Sequence, residues 1–530
     1  MHDRMSVPSP TLTILYHPDL RRIGDLVQLS EIVLGREALI SRYQPELVRP
    51  DQLVGEPLAD AYISRRPLRL RGHSGTGPVG AGGGNGIELL LDESRTSVVA
   101  QGTSVLQGCV FTAEEVERGV VLELAGRVVL LLHKTVGLQA RLPPRFGLIG
   151  DSQGIVRVRA DIQRVSDVQV PVLLRGETGT GKELAARAIH EASPRRNGVF
   201  LGVNLGAIPP TLSASELFGS VKGAFTGSVE RQEGYFRRAH GGTLFLDEIG
   251  EAPPEVQVML LRALETGEIF PVGAQTPQRV DVHVIAATDS DLEGKVRAGG
   301  FRGPLLHRLS GYEIWLPPLR ERRDDIGRLL LYFVREELAR IDEPWRLDPA
   351  NPSCDPLWLR PNLVARLARY DWPGNVRQLR NVARQLVIGS RGLPFLQIGP
   401  QVERLLQDED AGADSRPVPA LDTPPAGLPR PSREWRRPSE IGEEELLAAL
   451  RRNRWDLKAA SEDLRVSRTS LYALIESCPK VRTAADLSPD EIARCHRELG
   501  GDLDAMAERL EVSKRALGRR LRELGLVSNP

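Results

Sequence analysis

At 530 residues the chain is long enough for about three to four domains of ordinary size. Its 70 basic and 70 acidic side chains cancel, which excludes a chain that binds nucleic acid or membranes through net charge; any such surface must be local. Cys109, Cys354, Cys478 and Cys495 lie far apart without metal-ligand spacing, no apolar run reaches the about 18 residues a membrane span needs, and the start MHDRMSVPSP lacks a signal-peptide core. A soluble, cytoplasmic chain with reduced thiols and no membrane partner is expected.

Residues 11–16, 31–35, 67–71, 87–92, 119–124 and 127–133 are short β-prone runs between polar turns, and they predict an all-β sandwich over 1–138. Residues 72–86 are glycine-rich but lead into a strand, so they read as a hairpin loop and not a phosphate cradle. From about Phe146 the pattern changes. Residues 170–174, 243–246 and 282–287 are apolar runs of strand length, as buried parallel strands require, and 139–318 reads as an α/β domain. After Pro317 and Pro318 helical patterns continue to about Val387, giving a small lid over 319–400. Residues 401–440 pass from acidic to Pro- and Arg-rich without apolar periodicity and read as a disordered linker.

The C-terminal part repeats itself. Residues 446–475 align with 492–521 at an offset of 46: Leu464 matches Leu510, Val466 matches Val512, and Leu471 matches Leu517. Each copy reads as helix, helix, turn, helix, with Ser467 and Ser513 placed to cap the last helix. Two all-α helix-turn-helix units are predicted, over 441–478 and 484–530.

The chemistry lies in the α/β part. Gly176, Glu177, Thr178, Gly179, Thr180, Gly181 and Lys182 follow a strand and open a helix. Glycines let backbone N–H groups face phosphate oxygens, the helix start adds partial positive charge, and Lys182 reaches the terminal phosphates of a nucleoside triphosphate. Glu183 stands where Ser or Thr usually helps hold Mg²⁺, which throws that duty on Asp247. Asp247 and Glu248 end the apolar run 243–246 at the sheet edge where ligands bind. Asp247 suits the metal and Glu248 suits polarising the attacking water.

Between these motifs lies Gly223-Ala224-Phe225-Thr226-Gly227-Ser228. A Phe-bearing loop inside an ATPase core has no packing reason, and it suggests a tip that touches another protein. Together, GETGTGKE, KGAFTGS, GGTLFLDEIGE, FRGPLLHRLS, LPPLRERRDDI and WPGNVRQLRN resemble the AAA+ domain of bacterial enhancer-binding proteins, the ATP-driven activators of sigma-54 RNA polymerase. That family also carries Glu at the Glu183 position. The resemblance implies an ATPase using ATP and Mg²⁺, with Asn204 holding Glu248 in a nucleotide-dependent switch. It further implies that Arg302 and Arg308 reach into a neighbouring subunit's ATP, that Arg377 senses the γ-phosphate, and that Phe225 and Thr226 contact sigma-54. Such trans arginines imply a homo-oligomeric ring, six subunits by family analogy. Ser228 replaces the usual final Ala, and Asp289 replaces an Asn near the γ-phosphate.

Leu34-Gly35-Arg36 and Ile63-Ser64-Arg65-Arg66 resemble a forkhead-associated domain. By that resemblance Arg36, Ser64 and Arg65 would hold phosphothreonine, from a Thr-phosphorylated protein or kinase, through charge-assisted hydrogen bonds. Pro67 stands where that family has His. A sandwich used only for subunit packing is the other reading. The two C-terminal units resemble the Fis-type DNA-binding domain. In the second copy Ser513, Lys514, Arg515, Arg519 and Arg520 would meet enhancer DNA; the first copy's last helix is more apolar and suits packing. The expectation is an ATP-dependent sigma-54 activator. The alternative is a DNA-binding regulator or scaffold with weak or inactive ATPase, resting on Asp289 and Ser228.

Overall fold

A computed structural model of the chain describes residues 8–50, 52, 54–73, 86–91, 94–136, 142–223, 231–348, 358–393, 395–413, 442–453, 455, 460, 463–464, 487–499, 503–510, 512, 517 and 520–521. The chain divides into two compact units, Met1–Pro417 and Val418–Pro530.

The first unit opens with two antiparallel sheets. Its strands are β1 (Ser9–Tyr16), β2 (Leu26–Gln28), β3 (Ala38–Ile40), β4 (Leu68–His73), β5 (Gly86–Leu90), β6 (Val98–Ala100), β7 (Thr103–Val105), β8 (Gly108–Phe111), β9 (Val120–Leu124) and β10 (Val128–Thr135). One sheet has the order β2-β1-β10-β9-β6-β7 and the other β3-β4-β5-β8. Leu12, Ile14, Leu70, Leu89, Leu122 and Leu130 fill the space between them. His73 pairs with Gly86, so β4 and β5 form the expected hairpin, whose loop 74–85 lies outside the described residues.

Residues 31–35 are not a strand: Ser30–Val33 is one turn of helix. Only Ile32 faces the core while Val33 and Leu34 are exposed, a one-in-four burial that a helical turn satisfies and an alternating strand does not.

β1, β9 and β10 are apolar on both faces. Leu12, Val120, Leu122, Val128 and Leu130 point into the sandwich, whereas Leu15, Tyr16, Val121, Val129 and Leu131 join a second core with the lid helices. A sheet with two apolar faces must be covered twice, and the lid supplies the second layer. Gly327, in the lid helix Ile326–Arg340, lies so close to β1 that a Cβ would collide with the Leu15 carbonyl. Arg328 donates to the carbonyls of Ile23 at 3.3 Å and Gly24 at 3.1 Å, and Arg369 donates to that of Gln101 at 2.8 Å.

The α/β part carries β11 (Val172–Arg175), β12 (Phe200–Asn204), β13 (Thr243–Asp247), the small antiparallel pair β14 (Glu268–Ile269) and β15 (Gln278–Arg279), then β16 (His283–Thr288) and β17 (Tyr312–Trp315). The five long strands are parallel in the order β12-β13-β16-β11-β17. β11, β13 and β16 are almost wholly buried, as the unbroken apolar runs required. Their carboxyl ends share one edge, which positions the site.

The lid comprises the helices Ile326–Arg340, Pro361–Arg369, Asn375–Gly389 and Pro400–Ala413. The last of these corrects the expected linker, whose first part is helical. Val402 and Leu406 are buried against the lid, Leu405 packs beside them, and Glu403 pairs with Arg366 at 2.9 Å. Three apolar residues at helical spacing suffice to dock one face of a helix.

In the second unit the helix Glu443–Arg452 matches Pro489–Glu498, and Leu503–Arg509 follows the latter. Burial repeats at the offset of 46: Leu446 with Ile492, Ala449 with Cys495, Ala460 with Met506, and Leu464 with Leu510 are all buried. Ser513, Lys514, Arg515 and Arg519 lie outside the described residues, and Arg520 is partly buried. Among the described residues no helix is long and apolar enough to cross a membrane.

Candidate nucleotide site and its comparison with known proteins

Residues 176–183 run from the end of β11 into the helix Lys182–Ala192. Gly179 (φ +81°) and Gly181 (φ +108°) sit in the left-handed region, where a side chain is strained. At Gly179 a Cβ would also meet the carbonyl of Gly374 in the lid. The helix start thus presents free N–H groups toward the loop, the arrangement that binds phosphate.

Lys182 donates from Nζ to the carbonyls of Gly176 at 2.7 Å and Glu177 at 3.2 Å. Burial lowers its pKa, while the charges of Asp289, Asp247 and Glu248 oppose that shift. Asp247 ends β13, and burial raises its pKa above the usual carboxylate value. Its Oδ1 accepts from the Glu248 amide at 3.1 Å. Glu248 adopts φ +55°, a left-handed backbone that costs a non-glycine residue about 1 kcal/mol or more and is held only where the surroundings enforce it.

Asn204 pairs in register with Asp247, so β12 and β13 bring the expected switch residues to one edge. Asn204 Oδ1 accepts from the Ala207 amide at 3.2 Å, and the side chains of Asn204 and Glu248 both lie against Gly206. Among the described residues no hydrogen bond joins them directly. Asp289, after β16, accepts a 2.7 Å hydrogen bond from the Thr178 hydroxyl, which holds its carboxyl below the usual range. Glu183 is exposed and pairs with Arg187 at 3.0 Å.

Arg377 lies where the lid meets the loop: its amide donates to the Gly179 carbonyl at 3.4 Å and its charge acts on Lys182. Arg302 and Arg308 are exposed and turned elsewhere. The Arg302 amide donates to Gln257 at 2.9 Å and Arg308 Nε donates to the Leu264 carbonyl at 3.0 Å. No described contact of either reaches residues 176–183.

The lid grips the loop through contacts that no motif announces. Arg320 makes a bidentate pair with Glu177 at 2.9 and 2.6 Å. Buried Asn375 donates to Glu177 at 3.1 Å and to the Thr178 carbonyl at 3.0 Å, and accepts from the Leu319 amide at 2.7 Å. Arg322 donates to the Thr180 carbonyl at 3.2 Å. The strings LPPLRERRDDI and WPGNVRQLRN contained these residues, but nothing in their spacing named the partner.

Of the Phe-bearing loop, Gly223 is described, and Ala224, Phe225, Thr226, Gly227 and Ser228 lie outside the described residues. Its base is a closed pair: Ser220 and Gln232 exchange backbone hydrogen bonds at 3.0 Å each, and Val221 donates to the Val272 carbonyl at 3.1 Å. Phe218 stacks on Phe236 at 5.3 Å just below.

Arg36 precedes β3 and is exposed. Ser64 lies beyond the other end of that strand, where its carbonyl accepts from the Arg42 amide at 3.1 Å and its hydroxyl from the Arg66 amide at 3.0 Å. Arg65 is exposed, and among the described residues no hydrogen bond or ion pair joins Arg36 to Ser64 or Arg65.

Among the described residues Asp247 Oδ2 accepts no hydrogen bond, and with the glycine loop, Lys182 and the lid packed against the loop it fits a nucleoside triphosphate with magnesium. Among the described residues no group of three or more His, Cys, Asp or Glu could hold a metal by itself, so the ion would bind Asp247 together with phosphate oxygens and water, as magnesium commonly does.

Comparison with known proteins agrees. Residues 148–315 match the sigma-54 interaction domain and residues 320–398 the AAA+ ATPase lid domain. The DNA-binding transcriptional regulator NtrC of Escherichia coli (strain K12) is 45% identical over 253 residues, 48% of this chain and 52% of that protein; the chain thus spans about half the length of this relative. The anaerobic nitric oxide reductase transcription regulator NorR of Vibrio vulnificus (strain YJ016) is 35% identical over 396 residues, 73% of this chain and 72% of that protein. The solved structure of NtrX from Brucella abortus in complex with ATP is 28% identical and covers 71% of this chain and 69% of that chain, with a TM-score of 0.42, too low to carry a structural argument. On the matched domains and the shared length with NorR, the chain belongs to the family of AAA+ ATPase transcriptional regulators that carry a sigma-54 interaction domain.

Proposed function

We propose that this protein is an ATP-dependent activator of sigma-54 RNA polymerase that binds enhancer DNA through its C-terminal repeat and works as a homo-oligomeric ring, a hexamer by family analogy. The observation that carries the reading is the single edge shared by Lys182, Asp247, Glu248 and Asn204, in a chain whose residues 148–315 match the sigma-54 interaction domain. Bound ATP with magnesium would supply the phosphoryl group and its charge neutralisation. Lys182 and the loop amides hold the phosphates, Glu248 orients and deprotonates water, and Arg377 follows the γ-phosphate from the lid.

Arg302 and Arg308 act on the neighbouring subunit. Their exposure and their distance from their own loop's contacts support this role, since a finger that serves in trans must lie off its own site. Phe225 and Thr226 touch sigma-54 from a segment whose flanks, Ser220 and Gln232, are paired with each other and held to Val272 through Val221. The N-terminal sandwich recognises phosphothreonine through Arg36, Ser64 and Arg65 and acts on the ATPase through the lid it packs against. Lys514, Arg515, Arg519 and Arg520, with Ser513 as helix cap, contact DNA.

The test is transcription from a sigma-54 promoter with purified polymerase. The wild type should activate in the presence of ATP and Lys182→Ala should not. If the wild-type chain shows no ATP turnover for Lys182→Ala to remove, the scaffold reading, supported by the Asp289 carboxylate on the phosphate loop, replaces this one.

A further inference from the structure

A cleft of about 410 Å³ opens where the sandwich, the segment joining it to the α/β domain, and the lid helix Ile326–Arg340 meet. Five guanidinium groups line it: Arg21 and Arg49 from the sandwich, Arg145 from the joining segment, and Arg328 and Arg335 from the lid helix, with Tyr332 beside them. None of these residues belongs to the nucleotide loop or to the phosphothreonine candidates.

Three carboxylates pair with four of the five cations, and Glu56 acts on Arg21 from further away. Asp19 pairs with Arg21 at 2.8 Å, Asp25 with Arg49 at 3.4 Å, and Asp151 with Arg145 at 3.3 Å and also with Arg328. Asp25 and Asp151 are shared further, with Arg22 at 2.6 Å and Arg159 at 3.2 Å. The cleft therefore keeps an excess of positive charge drawn from three separate segments. Bringing like charges together opposes the packing of those segments unless an anion neutralises them. Arg328 is held by the Ile23 and Gly24 carbonyls and by Asp151, so it contributes a fixed charge at the wall, and the exposed Arg145 and Arg335 are the groups that can turn to a ligand.

The volume falls in the range of small-molecule pockets and exceeds what a single phosphate fills. Guanidinium groups match phosphate oxygens in planar, charge-assisted pairs. Tyr332 is 48% exposed, and with the apolar side chains of Leu20, Ile23 and Leu331 at the wall it offers a surface for a flat ring. We propose that this cleft binds a nucleoside polyphosphate, separately from the ATP of the phosphate loop, and that the bound molecule ties sandwich, joining segment and lid together.

The test uses the full chain with Lys182→Ala, which weakens the phosphate loop, titrated with fluorescent mant-GDP. Saturable binding of one molecule per chain is expected, weakened at least tenfold by adding Arg145→Ala and Arg335→Ala. Both side chains are exposed, and an unchanged melting temperature confirms that the fold survives. Binding that is absent, or equal with and without the two arginines, overturns the proposal. So does capture by Arg145 and Arg335 of a phosphothreonine peptide in place of mant-GDP.

Discussion

The hydroxyl of Thr178 donates to the carboxylate of Asp289 at 2.7 Å, joining the phosphate loop to the end of β16. The bond favours the ionised form of Asp289 and lowers its pKa, so a negative charge lies beside the phosphate loop. Lys182 feels this charge together with those of Asp247 and Glu248.

Asp289→Asn should relieve that repulsion. Removing one unit charge a few ångströms from the phosphates at an intermediate dielectric is worth on the order of 1 kcal/mol, which corresponds to a KM for ATP several-fold lower. Steady-state turnover measures it; an unchanged KM would mean that Asp289 does not sense the nucleotide.

Asn375 bridges the lid and the loop through three hydrogen bonds while fully buried. Asn375→Ala leaves the Leu319 amide without its acceptor and should cost about 1–3 kcal/mol. Arg320→Ala breaks a half-exposed pair and should cost about 1 kcal/mol or less, yet both variants should weaken ADP binding. Thermal melting with and without ADP separates the stability effect from the nucleotide effect.

The lid's grip on the loop was not legible because it depends on pairings across about 140 to 200 positions in sequence. Local spacing can announce a glycine loop or an acidic strand end, since each is built within a few residues. It cannot say that Arg320 meets Glu177. The docking of the sandwich does leave a signal in the sequence. Residues 128–132 are apolar without alternation, which in an antiparallel sheet means that both faces are covered. Conversely residues 31–35 read as a strand because so short a run cannot distinguish the two periods, and Ser30–Val33 is a helical turn.

His133 is buried, with Nε2 at 2.8 Å from the Thr13 hydroxyl, and burial pushes its pKa from 6.5 down to about 4. The folded state therefore holds it neutral while the unfolded chain protonates near 6.5. Its contribution is complete above pH 6.5 and is lost as the pH falls toward 4, by up to about 3 kcal/mol. Melting of the wild type against His133→Gln across that window should show a shallower pH slope in the variant; parallel slopes would assign the loss elsewhere.

Gly327→Val should drive a side chain into the Leu15 backbone and part the sandwich from the lid. Overpacking of this kind costs about 1–3 kcal/mol or more. Calorimetry should resolve a separate sandwich transition in the variant that is merged with the lid's in the wild type; one merged transition in both would show that the contact tolerates the methyls.

Arg308→Ala should lower ATP turnover by roughly 10³-fold if the guanidinium completes a neighbour's site. Mixing Arg308→Ala with Lys182→Ala should then restore part of the activity, because each subunit supplies what the other lacks. Additive inactivity in the mixture would place Arg308 in its own subunit's site.

The most direct test of the account compares Thr226→Ala with the wild type in ATP turnover and in transcription from a sigma-54 promoter. Turnover that persists while transcription stops is the expected result, since the loop would transmit hydrolysis to sigma-54 without carrying it out. Full transcription by Thr226→Ala would contradict the account.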